Sequence, residues 1–264
     1  MTYITTNDCL EERETALKSM PAEELAKRTP LETNIFTFSR KPPADQWTTR
    51  IGGVPAWPSD LDWPECVECA EPMFAVCQLD FRESVLSDFV SGDALVFHYC
   101  FTCLPWSLNQ PGSALNWFSD SGKALVTEEV TPDEMEGDEP GPCFGTANLT
   151  TDYKCDWEDR RGVFTTFASK IGGYPPTIQP ISPPTDSAGN KMRFLGSLGS
   201  LEASRIPKVK NTPPVGDLMW DDFGYLGFLS FWGSRIGGNF ETSWFITSGL
   251  DRKRLPTNSF NFWG

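Results

Sequence analysis

Apolar and polar positions alternate along most of this chain in short runs bounded by turn residues, and helical spacing is confined to the start. Residues 8 to 28 interleave charges with Leu10, Leu17, Met20 and Leu25. Asp8 can cap a first helix and Pro21 can open a second, so one or two short helices are expected before Pro30. Asn34 to Ser39 reads as a strand, followed by a polar loop from Arg40 to Asp45. Met73 to Phe81 is a further strand, and Ala94 to Cys100, apolar on both faces apart from His98, reads as a central one. The expected class is α+β and mostly β.

The pattern then recurs. Ser169-Lys170-Ile171-Gly172-Gly173-Tyr174-Pro175 repeats Thr49-Arg50-Ile51-Gly52-Gly53-Val54-Pro55. Met192 to Leu198 stands where the Met73 strand stood, and Phe223 to Phe231 where the run Asp93 to Cys100 stood. Preserved order implies an internal duplication, two related halves packed about a pseudo-twofold. A third fragment, Arg235-Ile236-Gly237-Gly238, is either chance or a hairpin turn before a strand from Thr242 to Thr247. The organisation expected is an N-terminal helical segment (1–33), a first unit (34–126), an acidic linker (127–147) and a second unit (148–264), with both units in one compact domain.

Composition sharpens this. Ten Trp and 19 Phe, with 22 Gly and 22 Pro, suit many short strands broken by turns, and 264 residues can bury a core without help. The formal net charge of −14 argues against nucleic acid as a partner and suits a basic protein, unless it serves solubility alone. Seven of those carboxylates lie between Glu128 and Glu139 without a basic residue, as in a linker or exposed loop. The first residues have neither a basic nor an apolar leader segment, and no later run reaches the roughly eighteen apolar residues that span a bilayer. A cytoplasmic protein is expected, in which the sequon at Asn148 carries no meaning.

Eight cysteines in a reducing compartment point to metal when they come in pairs. Cys66-Val67-Glu68-Cys69 and Cys100-Phe101-Thr102-Cys103 are two C-x-x-C pairs, and a two-residue gap lets a tight turn aim both sulfurs at one point. Cys66, Cys69, Cys100 and Cys103 make a full tetrahedral set for a closed structural zinc, with 30 residues between the pairs instead of the commoner span of about 15 to 20. Four unrelated thiols or a redox dithiol are the alternatives, and no pair sits at a helix start after a strand as a thioredoxin-like dithiol does. The second half keeps only Cys155 ahead of it, so metal belongs to the first half.

His98, the sole histidine, shares a strand face with Cys100, and is either a structural histidine or a partner of the thiolates. The Ile-Gly-Gly-x-Pro turns lack either phosphate-binding glycine pattern and read as rigid corners. Asp221-Asp222 would point to opposite faces of a strand and reads as a turn.

The two Ile-Gly-Gly-x-Pro corners, the run Cys66 to Asp80, the Gly-Asp-x-Leu-x-Phe strand at 92 to 97 and Trp220 to Leu226 together resemble the YwqG family of bacterial proteins of unknown function, over most of residues 34 to 250. The cysteine-bearing members imply zinc. Residues 50 to 103 are also similar to programmed-cell-death-2-like proteins, which chaperone a ribosomal protein. The first resemblance implies no catalytic residues and allows an immunity role against a toxin. The functional expectation is a non-enzymatic module that masks a basic protein, a toxin ahead of a ribosomal protein. The rivals are a hydrolase working between the halves with His98, Cys77 or the Asp221 region, and a scaffold with an exposed apolar patch.

Overall fold

β-branched and aromatic runs pair into one antiparallel sheet of ten strands in the computed structural model, which describes residues 14–15, 17–100, 102–103, 112–128, 142–154, 169–176, 182–199 and 225–251. The strands are β1 (Pro30–Ser39), β2 (Arg50–Ile51), β3 (Phe74–Asp80), β4 (Ala94–Tyr99), β5 (Ser113–Phe118), β6 (Cys143–Tyr153), β7 (Lys170–Gly172), β8 (Arg193–Gly199), β9 (Tyr225–Ile236) and β10 (Asn239–Asp251). A short helix, α1 (Ala22–Ala26), lies on the surface with no buried residue, and β1 begins at Pro30, inside the segment 1–33 read as helical and four residues before the strand expected at Asn34. No helix among the described residues is long and apolar enough to cross a membrane.

The strand order is β10-β9-β8-β7-β1-β6-β2-β3-β4-β5, which reads alike from both ends if the first five strands are exchanged with the last five. The two opening strands have traded places: β1 pairs with β7, and β6 pairs with β2. Registers agree on this symmetry, since Lys170 lies opposite Ile35 as Arg50 lies opposite Phe144, and the axis runs between the paired residues Thr37 and Thr146. Each half even carries its register shift at the same place, between Ala75 and Cys77 on β3 and between Phe194 and Gly196 on β8.

Alternation sends Leu79, Leu95, Phe97 and Tyr99 of one half and Leu198, Leu229, Phe231 and Trp244 of the other into a shared core. The sheet is rolled so that its outer strands meet through side chains. Trp117 on β5 donates to Thr242 on β10 at 2.8 Å and packs on Phe240 at 5.5 Å, while Phe97 meets Trp244 at 4.9 Å.

The glycine corners are built alike. Gly52 and Gly53 have φ of +67° and +71°, Gly172 and Gly173 have +76° and +70°, a conformation that glycine adopts without steric cost. Gly237 and Gly238 form the hairpin turn between β9 and β10, so the strand expected at 242–247 is the middle of a longer one. β5 was not foreseen, and β6 begins at Cys143 inside the stretch read as linker. Residues 8–13, Cys155, Asp221, Asp222 and positions 129–141 of the acidic run lie outside the described residues.

Candidate metal centre

Each C-x-x-C pair sits where a strand meets a turn. In the first, the Cys66 amide donates to Glu71 O at 2.8 Å and the Ala70 amide to Cys66 O at 2.8 Å, closing a knuckle directly before β3. Ala70 takes a left-handed φ of +59° to complete it. In the second, β4 delivers Cys100, whose amide donates to Gly112 O at 2.7 Å, and the Cys103 amide turns back to Cys100 Sγ at 3.4 Å. Because β3 and β4 are paired neighbours, the start of one and the end of the other coincide, and both knuckles face one point.

All four predicted sulfurs, of Cys66, Cys69, Cys100 and Cys103, lie within 4.8 Å of one another. Cys66 Sγ is 3.6 Å from Cys103 Sγ, and Cys69 Sγ 3.5 Å from Cys100 Sγ. A disulfide needs about 2.05 Å, whereas sulfurs about 2.3 Å from a central ion stand about 3.8 Å apart on a tetrahedron. The set therefore fits a metal ion and is not a pair of disulfides. Cys66 and Cys100 are buried, Cys69 and Cys103 half-buried, with Met73 and Ala114 packed against them.

The thiols differ in acidity. Burial pushes Cys66 up, but the amides of Cys69 and Glu68 and the neighbouring thiols bring it to about 7. Burial raises Cys100, and Cys103 is raised by its bond to Cys66 and then by burial. One thiolate thus forms more readily than the next, a difference that a divalent cation at the centre would remove.

Gly112 escaped the sequence analysis. A Cβ there would stand 3.2 Å from Cys100 Cβ, 3.4 Å from Cys103 Cβ and 3.4 Å from Cys66 Sγ, so its backbone closes the site as only glycine can. The only hint in the sequence is a Pro-Gly dipeptide.

No protein-family model and no curated protein matches the chain.

His98 does not join the cluster. It is fully buried, with Trp57 and Trp63 edge-on at 4.9 and 5.0 Å, and neither ring nitrogen has a hydrogen-bond partner among the described residues. Burial lowers its pKa to about 3, so it stays neutral. Cys77 is buried in the core between β2 and β4, and burial raises its thiol well above the ordinary range. Neither side chain offers a reactive atom to solvent.

The corresponding corner of the other half holds no cysteine. The bridge Thr185–Lys191 matches Glu65–Pro72, and Met192 donates to Pro184 O at 2.8 Å as Met73 donates to Pro64 O at 2.8 Å, which puts Asp186 where Cys66 stands. Asp186 accepts from the amides of Ala188 and Asn190 at 3.0 and 2.8 Å. Strand register likewise puts Ser234 where Cys100 stands and Glu241 where Gly112 stands. Ser234 lies against the Asp186 carboxylate, and Glu241 accepts from the Ser187 amide at 2.8 Å and from its hydroxyl.

Proposed function

We propose that this chain is a non-enzymatic cytoplasmic binding protein that masks a basic protein partner, and that Cys66, Cys69, Cys100 and Cys103 hold a structural zinc that braces its first half. The observation that carries the reading is the closed four-sulfur set, within 4.8 Å, in a chain of net charge −14. Four thiolates fill a tetrahedron and leave no position for a reacting water, so the metal's contribution is to folding. The charge steers a basic partner and repels nucleic acid. Zinc is preferred over softer or redox metals because an all-thiolate tetrahedron is its common structural environment.

The partner is a toxin ahead of a ribosomal protein, following the resemblance to YwqG-like and programmed-cell-death-2-like sequences. The zinc knuckles and an internal duplication belong to the same proposal. The exchanged opening strands, the matching register shifts and the paired glycine corners support the duplication. The hydrolase reading loses support with His98 sealed among tryptophans and Cys77 in the core.

The test is a pull-down from the native host at low salt, with mass spectrometry of the bound fraction and a salt elution series. One basic protein in stoichiometric amount, released as salt rises, is the expected result. Binding that ignores ionic strength, or no bound protein, overturns it. Metal analysis of the purified protein, expected to give one zinc per chain, tests the bracing role separately.

A further inference from the structure

β3 carries the thiol knuckle at its start and a second feature at its end, roughly 20 Å away for a strand of this length. There the chain leaves Asp80, turns through Arg82 and Glu83, and meets the loop holding Asp45 and Thr48. A cleft of about 370 Å³ opens between them over Phe36 of β1. That volume lies in the range of side-chain and small-ligand pockets.

The charges in it do not cancel. Arg82 donates to Asp80 Oδ2 at 2.7 Å and Oδ1 at 3.0 Å, and to Asp45. These bonds raise the pKa of Arg82, that to Asp80 most. Burial pushes the Asp45 carboxyl up, but Arg82 and the Trp47 amide hold it below the ordinary range. Glu83 stands exposed at the mouth with no ion pair among the described residues. Three carboxylates therefore line the cleft with one guanidinium that is already engaged, while Arg50, outside the lining and bonded to the Thr48, Val54 and Gln46 carbonyls, adds a weaker attraction on Asp45.

Asp80 Oδ1 also accepts from the Arg82 amide at 3.1 Å and so shapes this turn, while the sheet itself does not require the carboxylate. The position matching Asp80 in the other half is Gly199, at the same register on β8. A cation entering the cleft meets more carboxylate than guanidinium in its lining, with lone pairs on Asp45, Asp80 and Glu83 able to accept from it.

We propose that this cleft receives a lysine or arginine side chain of the basic partner, as an anchoring point on the acidic surface. The inference rests on the basic-partner reading above and names where on the surface that partner docks. Asp45 and Asp80, held by Arg82, form the fixed wall, and Glu83 is the free carboxylate that closes on the cation.

The test is titration calorimetry of a capped hexa-arginine peptide, with a hexa-lysine peptide alongside, against the full zinc-loaded chain at low salt. Glu83→Lys is compared with Glu68→Lys, a charge reversal of the same size on the exposed knuckle. Both carboxylates are on the surface, so unchanged melting temperatures are expected for the two variants. The expected result is a loss of about tenfold or more in affinity for Glu83→Lys, with Glu68→Lys within about twofold of the parent. Equal losses in both variants, or no loss in Glu83→Lys, overturn the cleft while leaving a diffusely acidic surface as the binding face. A parent protein that binds neither peptide overturns both readings.

Discussion

Cys66 and Asp186 occupy the same corner of the two halves and solve one mechanical problem with different chemistry. In each, a loop before a long strand must be tied to the far end of the next strand. The first half converges four sulfurs from two segments. The second uses the Asp186 carboxylate on its own loop amides, with Ser187 bonded to Glu241. The backbone course is nearly the same, with the cysteine-bearing loop one residue longer between its closing bonds, Cys66 to Glu71 against Asp186 to Asn190. The sheet topology therefore does not depend on the cysteines, and on the zinc proposal what they add is strength at one corner.

The hardest test of that contrast is to remove each tie in turn. Cys66→Ser, or chelation of the parent, is expected to abolish bound zinc and lower the melting temperature by roughly 10 °C or more, because the binding free energy of a structural site is folding free energy. Asp186→Ala is expected to lower it far less. A stable, metal-free parent, or equal losses at both corners, would break the comparison.

The glycine corners give the next largest effect. A Cβ on Gly173 would stand 2.3 Å from Asp152 Oδ2, inside the fully buried Lys170–Asp152 ion pair, whereas on Gly53 it would meet the ring of Pro142 at 2.8 Å. Gly173→Ala is expected to cost about 3 kcal/mol or more in denaturant melts, since it disturbs a buried charge as well as the backbone. Gly53→Ala is expected to cost less.

His98 occupies the strand position that Trp232 holds in the other half. With its folded pKa lowered by burial to about 3 against an ordinary value of 6.5, the unfolded chain takes up a proton that the folded chain refuses. Its contribution is fully present above about pH 6.5 and is lost as pH falls toward 3. His98→Phe is expected to remove that slope, and at pH 7 to leave stability unchanged or raise it by about 1 kcal/mol, because two buried ring nitrogens without a partner among the described residues disappear. Melts from pH 7 down to pH 5 for both proteins check it.

The smallest change makes one knuckle resemble its counterpart. Ala70, at φ +59°, matches Gly189, at φ +82°. Ala70→Gly is expected to add up to about 1 kcal/mol with zinc content unchanged, relief of left-handed strain outweighing the entropy glycine adds to the unfolded chain.

The sequence made some of this plain. Paired cysteines announce a shared point because their spacing is a local property of a turn, and the repeated Ile-Gly-Gly corners announce repeated geometry because few other residues adopt it. β5 was hidden because all six of its residues are half-buried and show no two-residue alternation. β6 was hidden by its threonines, its glycine and a run of four exposed residues. The Asp186 tie carries no motif, since Asp, Ser and Glu are common in loops. Nor can hydrophobic pattern reveal that β1 pairs across the axis, because burial fixes the face of a strand and not its neighbour.

Because β1 completes the far half and β6 the near one, neither set of five strands can close by itself. A fragment ending at residue 126 keeps both knuckles but lacks the strand that flanks β2. A second copy of the same fragment can lend its own β1 there, since β1 and β6 are related by the axis through Thr37 and Thr146. Expressed alone, this fragment is expected to assemble as a strand-exchanged homodimer with two metal centres. On the proposed duplication, the intact chain is a tethered form of that dimer, in which covalent linkage replaces association and makes the assembly independent of concentration.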